Sequence, residues 1–262
     1  MGRPVQYLAF LRDMIIDFQG KTVVITGGTR GIGAAMVKAF LEAGAIVYAT
    51  GTDIEVLNAL NESEKSKSKS VKYIDLNFLS QDSVDNCMES LSKLDRVDVL
   101  VNNAGVNKIN SIENITDEDW DWINTVNLKG PFLVTRTLAE KMKARKSGRI
   151  VNISSIFGAV SKEKRAVYST TKWGLIGFTK AVALDLAPHN ILVNAVFPGF
   201  VDTELTRRIL GNEVIEKLVE TIPQKRLANA EEIAKTVLFL SSDHNTYITG
   251  QNIIVDGGFT SV

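Results

Sequence analysis

The sequence predicts an α/β fold, a doubly wound parallel sheet with helices on both faces in a single domain, on three observations. Short β-branched runs alternate with stretches of helical periodicity along the chain. The first such run ends in a glycine-rich turn that opens a helix. A length of 262 residues suits one α/β domain with a sizeable core. Each right-handed crossover lays its helix against the sheet, so strict alternation puts helices on both sides.

The elements follow in order. Lys21–Thr26 is an apolar, β-branched run short enough for a buried parallel strand. From Ile32 to Ala43 apolar residues recur at helical spacing, Gly44 stops the helix, and Ala45–Thr50 reads as the second strand. Ser63–Ser70, rich in Ser and Lys, reads as a solvated loop before a third strand at Val71–Asp75. Further strands fall at Val97–Asn102, Gly148–Ile153, Ile191–Phe197 and Asn252–Val255, with helices around 80–93, 117–143, 166–187 and 230–241. The charged, helical insertion 202–227 follows a strand end, where such sheets bind ligands, and reads as a substrate lid packed by Phe200, Leu205, Ile209, Leu210, Val214 and Leu218. Residues 1–16 read as an N-terminal extension and 17–262 as the domain.

Composition narrows the partners. Lys plus Arg equals Asp plus Glu at 30 each, which removes the field that recruits nucleic acid or an anionic membrane. No apolar run approaches the roughly 20 residues that span a bilayer, and no small-residue cleavage site follows the N-terminal stretch, so no signal peptide is expected. Cys87 is the only cysteine, so no intramolecular disulfide forms and the cytoplasm is the expected compartment. Two histidines and one cysteine offer little for a catalytic zinc, and no metal is expected.

The first strand runs into Thr26-Gly27-Gly28-Thr29-Arg30-Gly31-Ile32-Gly33. Gly27 allows the tight turn, Gly31 lets backbone approach a pyrophosphate, and Gly33 lets the helix pack closely on the sheet. The helix N-terminus then offers free N–H groups to phosphates. A dinucleotide site selective for NAD carries an acid at the second strand's end to bond the ribose. Here that end reads Thr50-Gly51-Thr52, with no carboxylate before Asp53, while Arg30 can pair with a 2′-phosphate. NADP(H) is favoured; NAD(H) stays open through Asp53.

Tyr168 and Lys172 form Tyr-x-x-x-Lys on a predicted helix, which places both side chains on one face. An ammonium beside the phenol lowers its pKa and makes the tyrosine a usable acid and base. Thirteen residues earlier Ser155 lies near a strand end, where its hydroxyl can bond a substrate carbonyl, with Ser154 as the competing candidate.

With these residues in place the chain resembles the short-chain dehydrogenase/reductase family from about Asp17 to its C-terminus. Thr26 to Gly33 looks like the family's cofactor turn, and Asn102-Asn103-Ala104-Gly105 looks like its signature after the fourth strand. Val-Asn127-Leu, Pro198-Gly199-Phe200-Val201-Asp202-Thr203 and Val255-Asp-Gly-Gly258 match further segments in order. The resemblance implies a catalytic tetrad of Asn127, Ser155, Tyr168 and Lys172. Tyr168 would be the acid in reduction and the base in oxidation, Lys172 would hold its charge and the nicotinamide ribose, and Asn127 would hold a relay water. It implies cofactor contacts from Gly27, Thr29, Arg30, Gly31, Ile32, Gly33, Thr50 and Gly51 at the phosphate and ribose end. Asp75 and Leu76 would lie near the adenine, Asn103, Ala104 and Gly105 along the middle, and Pro198, Gly199, Val201 and Thr203 at the nicotinamide. A homotetramer is the implied assembly.

The implied reaction moves a hydride between nicotinamide and a carbonyl or secondary alcohol. Pattern leans toward the 3-oxoacyl-[acyl-carrier-protein] reductase branch, whose acidic carrier would suit the basic cluster Lys141, Lys143, Arg145, Lys146 and Arg149. Lys162 to Arg165 can face a polar or anionic substrate, which keeps sugar or polyol oxidation as the alternative. A cofactor-sensing or scaffolding protein without turnover is the reading from another class.

Overall fold

The computed structural model describes residues 15–65 and 70–261. The expected extension therefore lies almost wholly outside the described residues, as does most of the loop expected at Ser63–Ser70. Seven strands, β1 (Thr22–Ile25), β2 (Ile46–Gly51), β3 (Val71–Asp75), β4 (Val99–Asn102), β5 (Gly148–Ile153), β6 (Ile191–Pro198) and β7 (Asn252–Val255), form one parallel sheet. Their order is β3-β2-β1-β4-β5-β6-β7. The order reverses between β1 and β4, and such a switch point opens a crevice at the carboxyl ends of the strands.

Alternation along each strand sends side chains to two cores. Val23, Ile25, Val99, Val101 and Val151 pack against Met36, Val37 and Phe40 of α1 (Gly31–Glu42) and Ile233 and Val237 of α9 (Ala230–Ser241). Val24, Leu100 and Ile150 face the opposite layer, where Val84, Cys87 and Leu91 of α3 (Gln81–Ser92) meet Val134, Leu138 and Met142 of α5 (Gly130–Arg145). Ala183 and Leu186 of α6 (Ala166–Leu186) complete that layer. The doubly wound reading thus holds strand by strand.

Three local expectations are corrected. Ile54–Lys65 is a helix, α2, so Ser63 to Lys65 belong to a helix rather than a loop; its last residues, Asn61 to Lys65, are all polar and read like the loop that follows. The span 117–143 is not one uniform helix. It divides into α4 (Asp117–Asn124), a π-helical turn at Thr125–Lys129, and α5. The insertion after β6 forms α7 (Glu204–Leu210) and α8 (Asn212–Thr221). Leu205 and Val214 are exposed there, at 41% and 50%, so they do not pack the segment as expected. The side chains of Ile209 and Leu210 lie outside the described residues.

Candidate active site

The turn after β1 is built from both sides of the switch point. Gly27 and Gly31 hold φ of +67° and +53°, the left-handed region that favours glycine. Thr26 Oγ1 accepts from the N–H groups of Asn103 and Ala104, each at 3.0 Å, and Asn103 Nδ2 donates to the carbonyls of Thr26 and Gly27, each at 2.9 Å. The signature after β4 therefore clamps the turn. A Cβ on Gly33 would stand 2.0 Å from the Gly27 carbonyl oxygen and 2.7 Å from Asn103 Nδ2, so Gly33 makes room for the turn, not for the sheet as expected. The glycine pressed on the sheet is Gly28, whose Cβ would meet that of Ala49 at 2.7 Å. Sequence reasoning passed over Gly28 because two adjacent glycines cannot be told apart by spacing.

Beyond the turn, the N-terminus of α1 carries no side-chain cap and no acid in its first turn, which leaves its N–H groups and dipole for an anion. Arg30 beside it is exposed. Thr50 Oγ1 accepts from the Gly27 N–H at 3.3 Å, and Gly51 abuts Thr29, where a Cβ would lie 2.6 Å from its methyl. Asp53 Oδ1 accepts from the N–H groups of Glu55 and Val56, each at 3.1 Å, so this carboxylate caps α2. Asp75 Oδ2 accepts from the Ser83 hydroxyl at 2.6 Å at the end of β3, beside buried Leu76. These residues fit a dinucleotide carrying an extra phosphate on its ribose.

The catalytic candidates gather at the carboxyl ends of β4, β5 and β6. A buried ladder supports them: Asn102 donates to Asn152 at 2.8 Å and to Thr135 at 3.1 Å, and Asn152 donates to Thr179 at 2.9 Å. Asn127 sits in the π-helical turn, a local widening that recurs at functional sites. Its amide is committed at both ends, accepting from Val106 N–H at 2.8 Å and donating to the Val106 carbonyl at 2.9 Å and to Thr171 at 3.1 Å. A Cβ on Gly105 would lie 3.5 Å from Asn127 Oδ1 and 3.6 Å from Lys172 Nζ, which places these three around one point.

The two serines separate. Ser154 is buried and its hydroxyl donates to the Lys172 carbonyl at 3.1 Å, anchoring α6. The Ser155 hydroxyl accepts from Phe157 N–H at 3.2 Å and lies close enough to the Tyr168 phenol to oppose the effect of its burial. Lys172 Nζ donates to the Ile153 carbonyl at 2.9 Å and lies 5.5 Å from the centroid of the Tyr168 ring. The expectation that Lys172 lowers the Tyr168 pKa is corrected here. Burial raises the phenol, and the opposing influences are the Ser155 hydroxyl and the Arg165 cation. Lys172 faces the ring and a carbonyl instead. Val201 bridges Ala228, Gly199 lies against Asp256 beyond Pro198, and Thr203 caps α7 while its methyl faces Gly31.

Burial holds the Lys172 ammonium down at about 8. The unfolded chain keeps this proton to higher pH, so between about pH 8 and 10.5 stability rises with pH, and below that window the full burial cost is present. Lys172→Met removes the group. The melting temperature of Lys172→Met minus that of the native protein should fall as pH rises from 7 to 10; a difference independent of pH would mean the lysine is not depressed.

Arg165, just ahead of α6, was grouped in the sequence only with its charged neighbours. It is 9% exposed and stacks on Phe157, its guanidinium carbon 5.5 Å from the ring centroid. Only burial distinguishes it from Lys162 and Lys164. The basic cluster expected to meet a carrier is also placed differently from the expectation of a patch near the pocket. α5 ends at Arg145 and β5 begins at Gly148, so the cluster lies at the strands' amino ends, a strand length from the site. Within it Arg149 donates to the Gly148 and Asn245 carbonyls, each at 3.0 Å, and Arg145 Nη2 lies 3.9 Å from Asp98. Among the described residues no group of three His, Cys, Asp or Glu could hold a metal, and no helix is long and apolar enough to cross a membrane.

Comparison with known proteins agrees with this geometry. Residues 27–260 match the family model described as Enoyl-(Acyl carrier protein) reductase. The 3-oxoacyl-[acyl-carrier-protein] reductase FabG of Aquifex aeolicus is 44% identical over 94% of this chain and 99% of its own length, and that of Escherichia coli K12 is 35% identical over 94% and 100%. A solved gluconate 5-dehydrogenase from Burkholderia cenocepacia, in complex with NADP and tartrate, superimposes with a TM-score of 0.88 at 28% identity, covering 94% of this chain and 98% of that one. Kinship over nearly the whole length, on a matching fold, leaves one assignment: this chain belongs to the short-chain dehydrogenase/reductase family of oxidoreductases.

Proposed function

We propose that the protein is an NADP(H)-dependent oxidoreductase that interconverts a carbonyl and a secondary alcohol, built like the 3-oxoacyl reductases it resembles. The observation that carries this is Lys172 Nζ 5.5 Å from the Tyr168 ring centroid with Ser155 at the end of β5, in a sheet whose first helix has an uncapped N-terminus. NADP(H), when bound, supplies or takes the hydride. Gly27, Thr29, Gly31, Ile32 and Gly33 hold its phosphates, Arg30 its 2′-phosphate, Thr50 and Gly51 its ribose, and Asp75 and Leu76 its adenine. Ala104 and Gly105 line its middle, with Asn103 bracing the turn; Pro198, Gly199, Val201 and Thr203 receive its nicotinamide.

In reduction, Ser155 orients the substrate oxygen and Tyr168 gives it a proton from the phenolic oxygen. Lys172 holds the tyrosine in place, and Asn127 braces the loop after β4 against α6. In oxidation the same tyrosine takes the proton back. Residues 202–227 serve as the lid over a domain spanning 17–262. Exposed apolar side chains support a homotetramer: Phe132, Trp173 and Leu184 on α5 and α6, and Tyr247 and Ile254 at the β7 edge, each exposed by 43% or more. The basic cluster, at the strands' amino ends, does not by itself bring a carrier to this site. The single buried cysteine, its thiol pushed up to about 12, fits the cytoplasm.

The test is fluorescence titration with NADPH and NADH side by side. NADPH is expected to bind about tenfold more tightly or better, and Arg30→Ala to erase that difference while NADH affinity stays put. Equal binding of both by the native protein would defeat the cofactor assignment, since Asp53 is engaged as a cap. A second reading, oxidation of a hydroxy acid of the sugar-acid type, is favoured by buried Arg165 and by the tartrate in the related dehydrogenase.

A further inference from the structure

We propose that Arg165, with Asn107, forms a carboxylate subsite that selects an acid substrate, an oxo acid or its hydroxy acid, over a neutral ester or thioester. Arg165 carries the argument. A guanidinium removed from water is costly unless paired and hydrogen-bonded, yet Arg165 is 9% exposed and its Nη1 is buried with no partner. Glu163, two residues away, acts on the guanidinium only through space, makes no hydrogen bond to it, and pairs with Lys162 at 3.8 Å. The Phe157 ring lies against the cation at 5.5 Å, and a ring face supplies no hydrogen-bond acceptor in the guanidinium plane.

Position turns the missing counter-ion into a site. Arg165 precedes the helix that carries Tyr168 by three residues, and the two groups perturb one another's charge. The Phe157 ring that holds the guanidinium also meets the Tyr168 ring edge-on at 6.3 Å. A second unsatisfied group lies on the neighbouring loop, where Asn107 Oδ1 is buried without a partner. The two loops touch through the Asn110 N–H and the Lys164 carbonyl at 3.3 Å. Turning the Asn107 amide over would present its two N–H donors to the same acid. A carboxylate satisfies both residues, whereas a neutral carbonyl leaves the cation unneutralised. Arg165 is thus a specificity-determining residue that touches substrate.

The assignment rests on the reading of Tyr168 as the reacting acid, and the experiment separates the two. Malonate and its neutral analogue malonamide are titrated calorimetrically into the NADPH complex at constant ionic strength, for the native protein, Arg165→Gln and Arg165→Lys. Malonate is expected to bind the native complex at least about tenfold more tightly than malonamide, Arg165→Gln to lose about tenfold or more, and Arg165→Lys to lose less. Unchanged NADPH affinity and melting temperature in both variants show that the fold is kept. In turnover, acetoacetate should be preferred over ethyl acetoacetate, and Arg165→Gln should raise KM for the acid alone. Equal binding of malonate and malonamide, no malonate binding to the native complex, or full malonate affinity in Arg165→Gln would each overturn the subsite. Arg165-dependent malonate binding in a protein whose turnover survives Tyr168→Phe would uphold the subsite and overturn the proposed reaction instead.

Discussion

Tyr168→Phe is expected to lower kcat by about three powers of ten while NADPH affinity stays within about twofold. The substitution removes one oxygen and keeps the ring that packs edge-on against Phe157 at 6.3 Å, so the helix and its neighbours have no reason to move. What disappears is the phenolic hydroxyl from which a substrate oxygen held by Ser155 would draw its proton. Lys172 stays in place in the variant, anchored by its bond to the Ile153 carbonyl at 2.9 Å. Steady-state turnover alongside a fluorescence titration checks both halves. If the variant kept a tenth of native turnover, Tyr168 would not be the proton donor. A sensor that never turns over would show no difference in its biological output, and the oxidoreductase assignment of the family makes that the weaker expectation.

The sheet and its helices were legible because buried parallel strands and their covering helices write their burial into the sequence. Val71–Asp75, Gly148–Ile153 and Asn252–Val255 fall where the apolar runs place them. α2 escaped because its outer surface is polar and its start is fixed by Asp53, a cap that looks like any acid in one dimension. That same cap answers a question that spacing left open, since a carboxylate bonded to two backbone N–H groups is held at the helix end. The choice between Ser154 and Ser155 also needed three dimensions. Adjacent residues on a strand end point opposite ways, and Ser154 is turned inward onto the Lys172 carbonyl. Arg165 could not be singled out at all, because a chain of Lys, Glu, Lys and Arg reads as a solvated loop until burial separates the fourth from the other three.

Gly33→Ala should be the most damaging change of a single methyl group in the molecule, costing about 2 to 3 kcal/mol of stability. Most glycine-to-alanine changes inside helices stabilise, by limiting the unfolded chain and favouring helix. Here the added carbon meets the Gly27 carbonyl oxygen at 2.0 Å and the Gly27 carbonyl carbon at 2.9 Å, both backbone atoms. Asn103 Nδ2 stands at 2.7 Å and is itself the donor that holds that carbonyl, so it cannot yield without releasing the turn. Relief therefore has to come from moving Gly27, which a φ of +67° and the Thr50 contact both fix. A displaced turn no longer offers its N–H groups to a phosphate at the end of α1, so NADPH affinity should fall by about a hundredfold. Thermal unfolding should show a melting temperature lower by about 5 to 10 °C, in line with the stability lost for a chain of this size. Native-like melting with NADPH affinity within about threefold would show that the clamp between the turn and the loop after β4 is soft, and that the packing of these backbone atoms does not decide cofactor binding.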